Sequence, residues 1–186
     1  MPDAALPTPQ RPSVEAIAAA IRAVPDFPSP GILFRDITPL LAQPALLAAA
    51  VDAMADPFRT SGVTHVVAVE SRGFIVGAPL ALALGASFVP VRKPGKLPRA
   101  TRRMAYALEY GTDVLEMHDD ALSGATPARV LLADDVLATG GTLGAAVALA
   151  ESAGATVVGA TLLLELPALG GRARLAPLLI EAVVRG

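Results

Sequence analysis

The stretch VLLADDVLATGGTLGAA, Val130 to Ala146, decides the fold. Its first residues, Val130–Ala133, are a short apolar run of the kind a sheet buries on both faces. Its far end opens an alanine-rich segment, Thr142–Ala153, that reads as a helix. Between them stand two adjacent acids, Asp134 and Asp135, and then Ala138, Thr139, Gly140, Gly141 and Thr142. A strand followed directly by a helix is half of a βαβ unit, whose loops collect at the carboxyl ends of parallel strands.

The same alternation extends outward. Thr64–Val69 reads as a buried strand, Gly73–Leu84 as a helix, and Ala86–Val91 as a second strand. Ala155–Glu165 is expected as a strand, Pro167–Ala176 as a helix, and Leu178–Val184 as a last strand. Upstream, Ser13 can cap a helix carrying Val14, Ile17 and Ile21 on one face, which VPDFPSPG then breaks. Pro44 suits the first turn of a helix reaching about Phe58. MAYALEY and DVLEM flank Gly111-Thr112 and are expected to form a hairpin. The fold class is therefore α/β, with a mainly parallel central sheet flanked by helices. Residues 1–12 read as a loose tail and 13–186 as one domain.

Composition agrees with one domain and a sizeable core. Of 186 residues, 53% are hydrophobic and 17% charged, so the bulk of the chain is not expected to be disordered. Aromatics are 4% and tryptophan is absent, which leaves an aliphatic core. The net charge of -2 gives no general attraction to nucleic acid or anionic lipid. There are no cysteines, so disulfides and thiolate metal sites cannot form, in keeping with a cytoplasmic location. Gly73–Val91 carries no charge, but its prolines and glycines favour a helix and a strand over a membrane span. The N-terminus lacks the basic-then-apolar pattern of an export signal.

The glycines after Asp135 let main-chain N–H groups approach a ligand, and the following helix N-terminus favours a phosphate. Carboxylates suit sugar hydroxyls. Alone, TGG would serve as a tight turn and the acids as caps. Together, between strand and helix, they describe a site for a ribose 5-phosphate. Neither the Gly-Lys-Ser/Thr of a P-loop nor a GxGxxG is present. Between Glu70 and Glu109 there is no acid, whereas Arg72, Arg92, Lys93, Lys96, Arg99, Arg102 and Arg103 fall there. Such cations can hold a diphosphate, and residues 92–103 have the composition of an exposed lid.

VLLADDVLATGGT closely resembles the phosphoribosyl diphosphate (PRPP) motif of type I phosphoribosyltransferases. FPSPGILFRDITPLL (Phe27–Leu41), ESRGF (Glu70–Phe74), RKPGKLP (Arg92–Pro98) and LEYGTDVLEMH (Leu108–His118) resemble the adenine phosphoribosyltransferase family, over residues 13 to 186. The resemblance implies a type I phosphoribosyltransferase fold with a small N-terminal hood and a flexible catalytic loop. It implies that PRPP and AMP lie on Asp134, Asp135, Ala138, Thr139, Gly140, Gly141 and Thr142. Pyrophosphate would lie on Glu70, Ser71, Arg72, Gly73, Arg92, Lys93 and Lys96. Leu33, Phe34 and Arg35 match the segment that contacts adenine, with Asp36 bracing its turn. Glu109 matches a glutamate that exchanges a proton with the purine, and Arg72 contacts the diphosphate during catalysis. Tyr106 would help cover the site, and Glu116 and His118 fall where the family dimerises.

The implied reaction is adenine plus PRPP giving AMP and pyrophosphate, with Mg²⁺ carried by PRPP and no protein metal cage. A homodimer is expected, with neither nucleic acid nor membrane as partner. The alternatives are transfer to hypoxanthine, guanine or xanthine, or a PRPP-sensing regulator of the same fold. The regulator would need a DNA-reading module that the chain does not display.

Overall fold

The computed structural model describes residues 11–108, 111–124 and 127–186. The chain divides into two compact units, Met1–Ala50 and Val51–Gly186. Of the expected tail, positions 1–10 lie outside the described residues.

In the first unit Ser13 caps helix α1 (Val14–Ala19), its hydroxyl accepting from Ala16 N–H at 3.3 Å. The face expected there is only partly used. Ile17 is buried, but Val14 is exposed and Ile21 lies beyond the helix end. The proline-rich stretch does not merely break the helix. It connects β1 (Arg22–Pro25) to β2 (Leu33–Asp36), which pair antiparallel from Arg22↔Asp36 to Pro25↔Leu33. The turn between them is tied by Asp26, whose carboxylate accepts from Gly31 N–H at 2.7 Å. A short helix, α2 (Thr38–Leu41), follows, and α3 (Pro44–Ala55) begins at its proline as expected.

The second unit is built on a five-stranded sheet in the order β4-β3-β7-β8-β9, every pair parallel. Its strands are β3 (His65–Val69), β4 (Ser87–Val91), β7 (Arg129–Leu137), β8 (Thr156–Glu165) and β9 (Ile180–Arg185). Helix α4 (Arg72–Leu84) joins β3 to β4, and α5 (Gly141–Ser152) joins β7 to β8. The uncharged segment Gly73–Val91 is thus a helix and a strand. No helix among the described residues is long and apolar enough to cross a membrane. Every side chain of β3 is buried, which is why that run is continuously apolar and not alternating. The core below α5 is aliphatic, with Val67, Val69, Leu132, Leu137, Ala146, Leu149 and Leu162 in one cluster.

Two expected boundaries move. Strand β7 does not stop at Ala133. Its pairing with β8 continues through Asp134↔Leu162 to Leu137↔Glu165, so both acids are strand residues. The hairpin of β5 (Thr101–Leu108) and β6 (Gly111–His118) exists, but its register closes on Leu108↔Gly111. Gly111 and Thr112 are therefore paired residues and not the turn. The region Pro167–Ala176 also differs, being a single 3₁₀ turn (Pro167–Leu169) and a four-residue helix α6 (Gly171–Arg174).

Candidate active site

A cavity of about 400 Å³ opens where β3 and β7 end. Its walls come from Val69–Arg72, Lys93, Tyr106 and Asp134–Leu143. The three turns ESRG, RKPGK and DDVLATGG do meet in one crevice, as parallel topology requires.

The floor is the entry to α5. Ala138, Thr139 and Gly140 leave β7, and the helix starts at Gly141 with no side chain capping it. The first N–H groups of a helix have no partner within it, so they point a partial positive charge into the crevice. Gly140 adopts φ 79°, a left-handed conformation that glycine adopts without strain. A Cβ there would also meet Gly171 O at 2.9 Å. The loop is buttressed from behind by Leu166 N–H donating to Leu137 O at 2.9 Å.

Asp134 and Asp135 form one wall. Asp134 Oδ1 accepts from Asp135 N–H at 2.8 Å, and Asp135 Oδ2 pairs with Arg72 Nε at 2.8 Å. Burial, and then the neighbouring Asp135 carboxylate, push the Asp134 carboxyl well above the usual carboxylate range, against the pull of Arg72. Room for Asp134 depends on Gly73, which is not itself on the cavity wall.

Adjoining it is the ESRG turn, with a cis peptide between Glu70 and Ser71. Glu70 accepts from Arg92 Nε at 2.8 Å and from Lys93 N–H at 2.6 Å. Burial is the largest single influence and would raise its pKa. The Lys93 N–H and the Arg92 guanidinium outweigh it and hold the carboxyl below the usual range. Arg92 is therefore turned to Glu70 and to Lys96 O, 3.2 Å away. Arg92 and Lys96 do not line the cavity, and Lys96 is exposed. Lys93 does line it, its ammonium bound to the Asp113 carboxylate and 3.2 Å from Tyr106 Oη. Asp113 escaped the sequence reading. The register Tyr106↔Asp113 across the hairpin is the signal that would have placed it.

The rest of the basic segment is not an open lid of unpaired cations. Arg92 bridges to Glu116 through the backbone, and β5 already begins at Thr101. Arg99 pairs with Asp120, Arg102 with Asp119 at 3.6 Å, and Arg103 with the buried Glu116 at 2.7 Å. These acids come from β6 and the turn beyond it, so the charge asymmetry of the sequence is cancelled in space.

Leu33, Phe34 and Arg35 sit on β2 of the first unit. Phe34 packs edge-to-face on Phe27 with ring centroids 5.1 Å apart, and Leu33 is exposed. Asp36 closes the next turn, accepting from Thr38 N–H and Thr38 Oγ1, each at 2.9 Å. Glu109 lies outside the described residues.

An uncapped helix N-terminus beside a carboxylate pair can hold a phosphate and a diol at once, and cations on the adjoining turn can hold a second anion. Comparison with known proteins agrees. The family model of the phosphoribosyl transferase domain matches residues 36–174. The chain is 54% identical over 171 residues to the adenine phosphoribosyltransferase of Acidothermus cellulolyticus, covering 92% of this chain and 96% of the relative. The crystal structure of adenine phosphoribosyltransferase from Rhodothermus marinus superposes with a TM-score of 0.87 at 52% identity, covering 93% of this chain and 98% of that one. The enzyme from Saccharomyces cerevisiae, complexed with an imino-altritol bisphosphate and adenine, gives 0.85 at 37% identity, covering 91% and 98%. The chain belongs to the adenine phosphoribosyltransferases, within the phosphoribosyl transferase domain family.

Proposed function

We propose that this chain transfers the 5-phosphoribosyl group of PRPP to adenine, giving AMP and pyrophosphate, as a cytoplasmic homodimer. The observation that carries the reading is the shared crevice of the α5 N-terminus and the Asp134–Asp135 pair. The 5-phosphate of the sugar sits on the main-chain donors of Ala138–Thr142 and the hydroxyls of Thr139 and Thr142. Asp134 and Asp135 hold the ribose diol. Burial and the neighbouring Asp135 carboxylate disfavour the charged form of Asp134, and the hydroxyl donors and cations of the substrate offset that cost.

The diphosphate lies toward Ser71, Arg72, Gly73 and Lys93, with Arg92 and Lys96 at its outer edge. As the bond from the sugar carbon to the diphosphate oxygen breaks, negative charge builds on the leaving group and positive charge on the sugar. Arg72 and Lys93 stabilise the first, and the carboxylates of Asp134 and Asp135 the second. Leu33, Phe34 and Arg35 present the adenine, whose ring nitrogen takes the sugar carbon and loses its proton. Glu109 receives that proton. The 92–103 segment and Tyr106 shield the activated sugar from water.

Mg²⁺ is expected to enter with PRPP. Among the described residues no group of three or more acids or histidines could hold a metal ion. The Asp134–Asp135 pair, which lines the cavity, nevertheless offers hard oxygen donors, which fits an ion bound mainly by substrate phosphates. When bound, the ion neutralises the departing diphosphate.

The test is an assay of purified protein with PRPP, Mg²⁺ and each purine base in turn. Turnover is expected with adenine, and hypoxanthine, guanine or xanthine should support little. Equal rates with hypoxanthine would overturn the base assignment. Glu109→Gln is expected to depress kcat while leaving PRPP affinity in place.

A further inference from the structure

We propose that Asp113 is a positioning residue that acts through Lys93, as an internal competitor of the diphosphate for that cation. The inference rests on the reading above, in which Lys93 binds pyrophosphate. Three cations of the ESRG and RKPGK turns are held by carboxylates. Arg72 pairs with Asp135 at 2.8 Å, Arg92 with Glu70 at 2.8 Å, and Lys93 with Asp113. Asp135 and Glu70 line the cavity and belong to the substrate site. Asp113 does not line it. It reaches the crevice only through Lys93 and through Tyr106, whose hydroxyl donates to Asp113 Oδ2 at 3.1 Å.

The geometry makes this a clasp. Asp113 stands across the hairpin from Tyr106 in the β5–β6 register and is held in place by Val114 N–H donating to Oδ1 at 2.8 Å. The Lys93 ammonium is 5.7 Å from the centroid of the Tyr106 ring, so an aromatic face backs it on one side. Thr142, at the head of α5, donates to Tyr106 Oη at 3.5 Å. The clasp therefore joins the loop that carries Lys93 to the helix assigned to the 5-phosphate. A diphosphate that takes Lys93 must draw the ammonium from Asp113, and pyrophosphate leaving the site hands it back. Binding is weakened, and product release eased, by the same interaction.

The experiment measures pyrophosphate affinity by calorimetry in the presence of Mg²⁺, for the full chain and its variants. Asp113→Asn keeps the acceptor for Val114 N–H and removes the charge. It is expected to tighten pyrophosphate binding by about threefold, the scale of a partly exposed ion pair. Asp113→Glu, which restores the charge, should return the affinity toward that of the parent. Lys93→Ala should weaken binding, and adding Asp113→Asn to it should then change nothing. Unchanged or weaker binding in Asp113→Asn, with Lys93→Ala impaired, overturns the clasp and leaves the role of Lys93 standing. Tightening that persists in the Lys93→Ala background also overturns it, since the effect would not pass through Lys93. Unchanged affinity in Lys93→Ala overturns both the assignment of Lys93 and the inference built on it.

Discussion

Gly73, at the start of α4, lies directly against the carboxylate of Asp134 on β7. A Cβ on Gly73 would stand 2.7 Å from Asp134 Oδ1 and 3.3 Å from Ala133 O. Neither neighbour has slack. The carbonyl belongs to the central strand of the sheet, and Asp134 Oδ1 is already engaged by Asp135 N–H. The absence of a side chain at position 73 is what permits a carboxylate to face the crevice.

Gly73→Ala should therefore disable the enzyme without unfolding it. The added methyl displaces Asp134, to which we assign the ribose diol, and misplacement on the scale of one ångström costs about 100-fold in rate. The expected result is a fall of that order in kcat/KM for PRPP, with the adenine KM little changed. Steady-state kinetics on the variant checks it, and values within about twofold of the parent would remove Gly73 from the argument.

Asp134→Asn should make the protein more stable and less active. Asp134 is an acid whose folded pKa lies above its unfolded one, because of burial first and Asp135 second. Such a group favours folding least at high pH. Its contribution is intact below the ordinary aspartate range and is lost as pH rises from there toward the folded pKa. Asparagine keeps the Oδ1 acceptor and removes that loss. The melting temperature should rise at neutral pH, by about 2–4 °C for each kcal/mol relieved, and the gain should shrink toward zero in acid. Thermal melts at several pH values test the sign, and PRPP kinetics test the accompanying loss of activity.

Arg172→Ala should destabilise the fold in a pH-dependent way. Arg172 donates to both oxygens of Glu165 at 2.9 and 2.6 Å and to Ile180 O at 2.6 Å, and Arg185 adds a contact at 3.1 Å. The Arg172 hydrogen bonds are the main cause holding the buried Glu165 below its ordinary pKa. That stability is present above the unfolded glutamate value and is lost as pH falls through the depressed one. With solvent screening at the partly exposed Arg172, the cost near neutral pH is about 1–2 kcal/mol. Urea unfolding should show that difference near pH 7 and a narrowing gap once Glu165 is protonated. A cost independent of pH would mean that the Ile180 carbonyl, and not Glu165, is the partner that matters.

Local signals made most of the sheet legible. Continuous apolar runs placed β3, β4 and β8, and Ser13 and Pro44 marked their helices, because caps and buried strands are written in adjacent residues. The pocket loop was legible for the same reason, since Ala138–Thr142 is one contiguous segment. What escaped depends on distant pairing. β7 runs on through Asp134 and Asp135 because β8 offers a matching edge as far as Glu165, and acids alone look like a strand end. β1 and β2 are short and lie on either side of prolines, so their pairing leaves little periodic trace. The cations of residues 99–103 met their acids only after the chain had turned back on itself.

That cancellation reaches beyond the hairpin. With Arg99, Arg102 and Arg103 each matched to a neighbouring acid, the segment projects little net field into solvent. At physiological ionic strength any residue of it fades within a Debye length of about 8 Å. The chain as a whole carries a charge of -2, the same sign as its polyphosphorylated sugar. Encounter between them is consequently a matter of ordinary diffusion, with salt exerting little control over how often they meet. The selectivity for a multiply charged ligand is expressed only after the ligand has arrived.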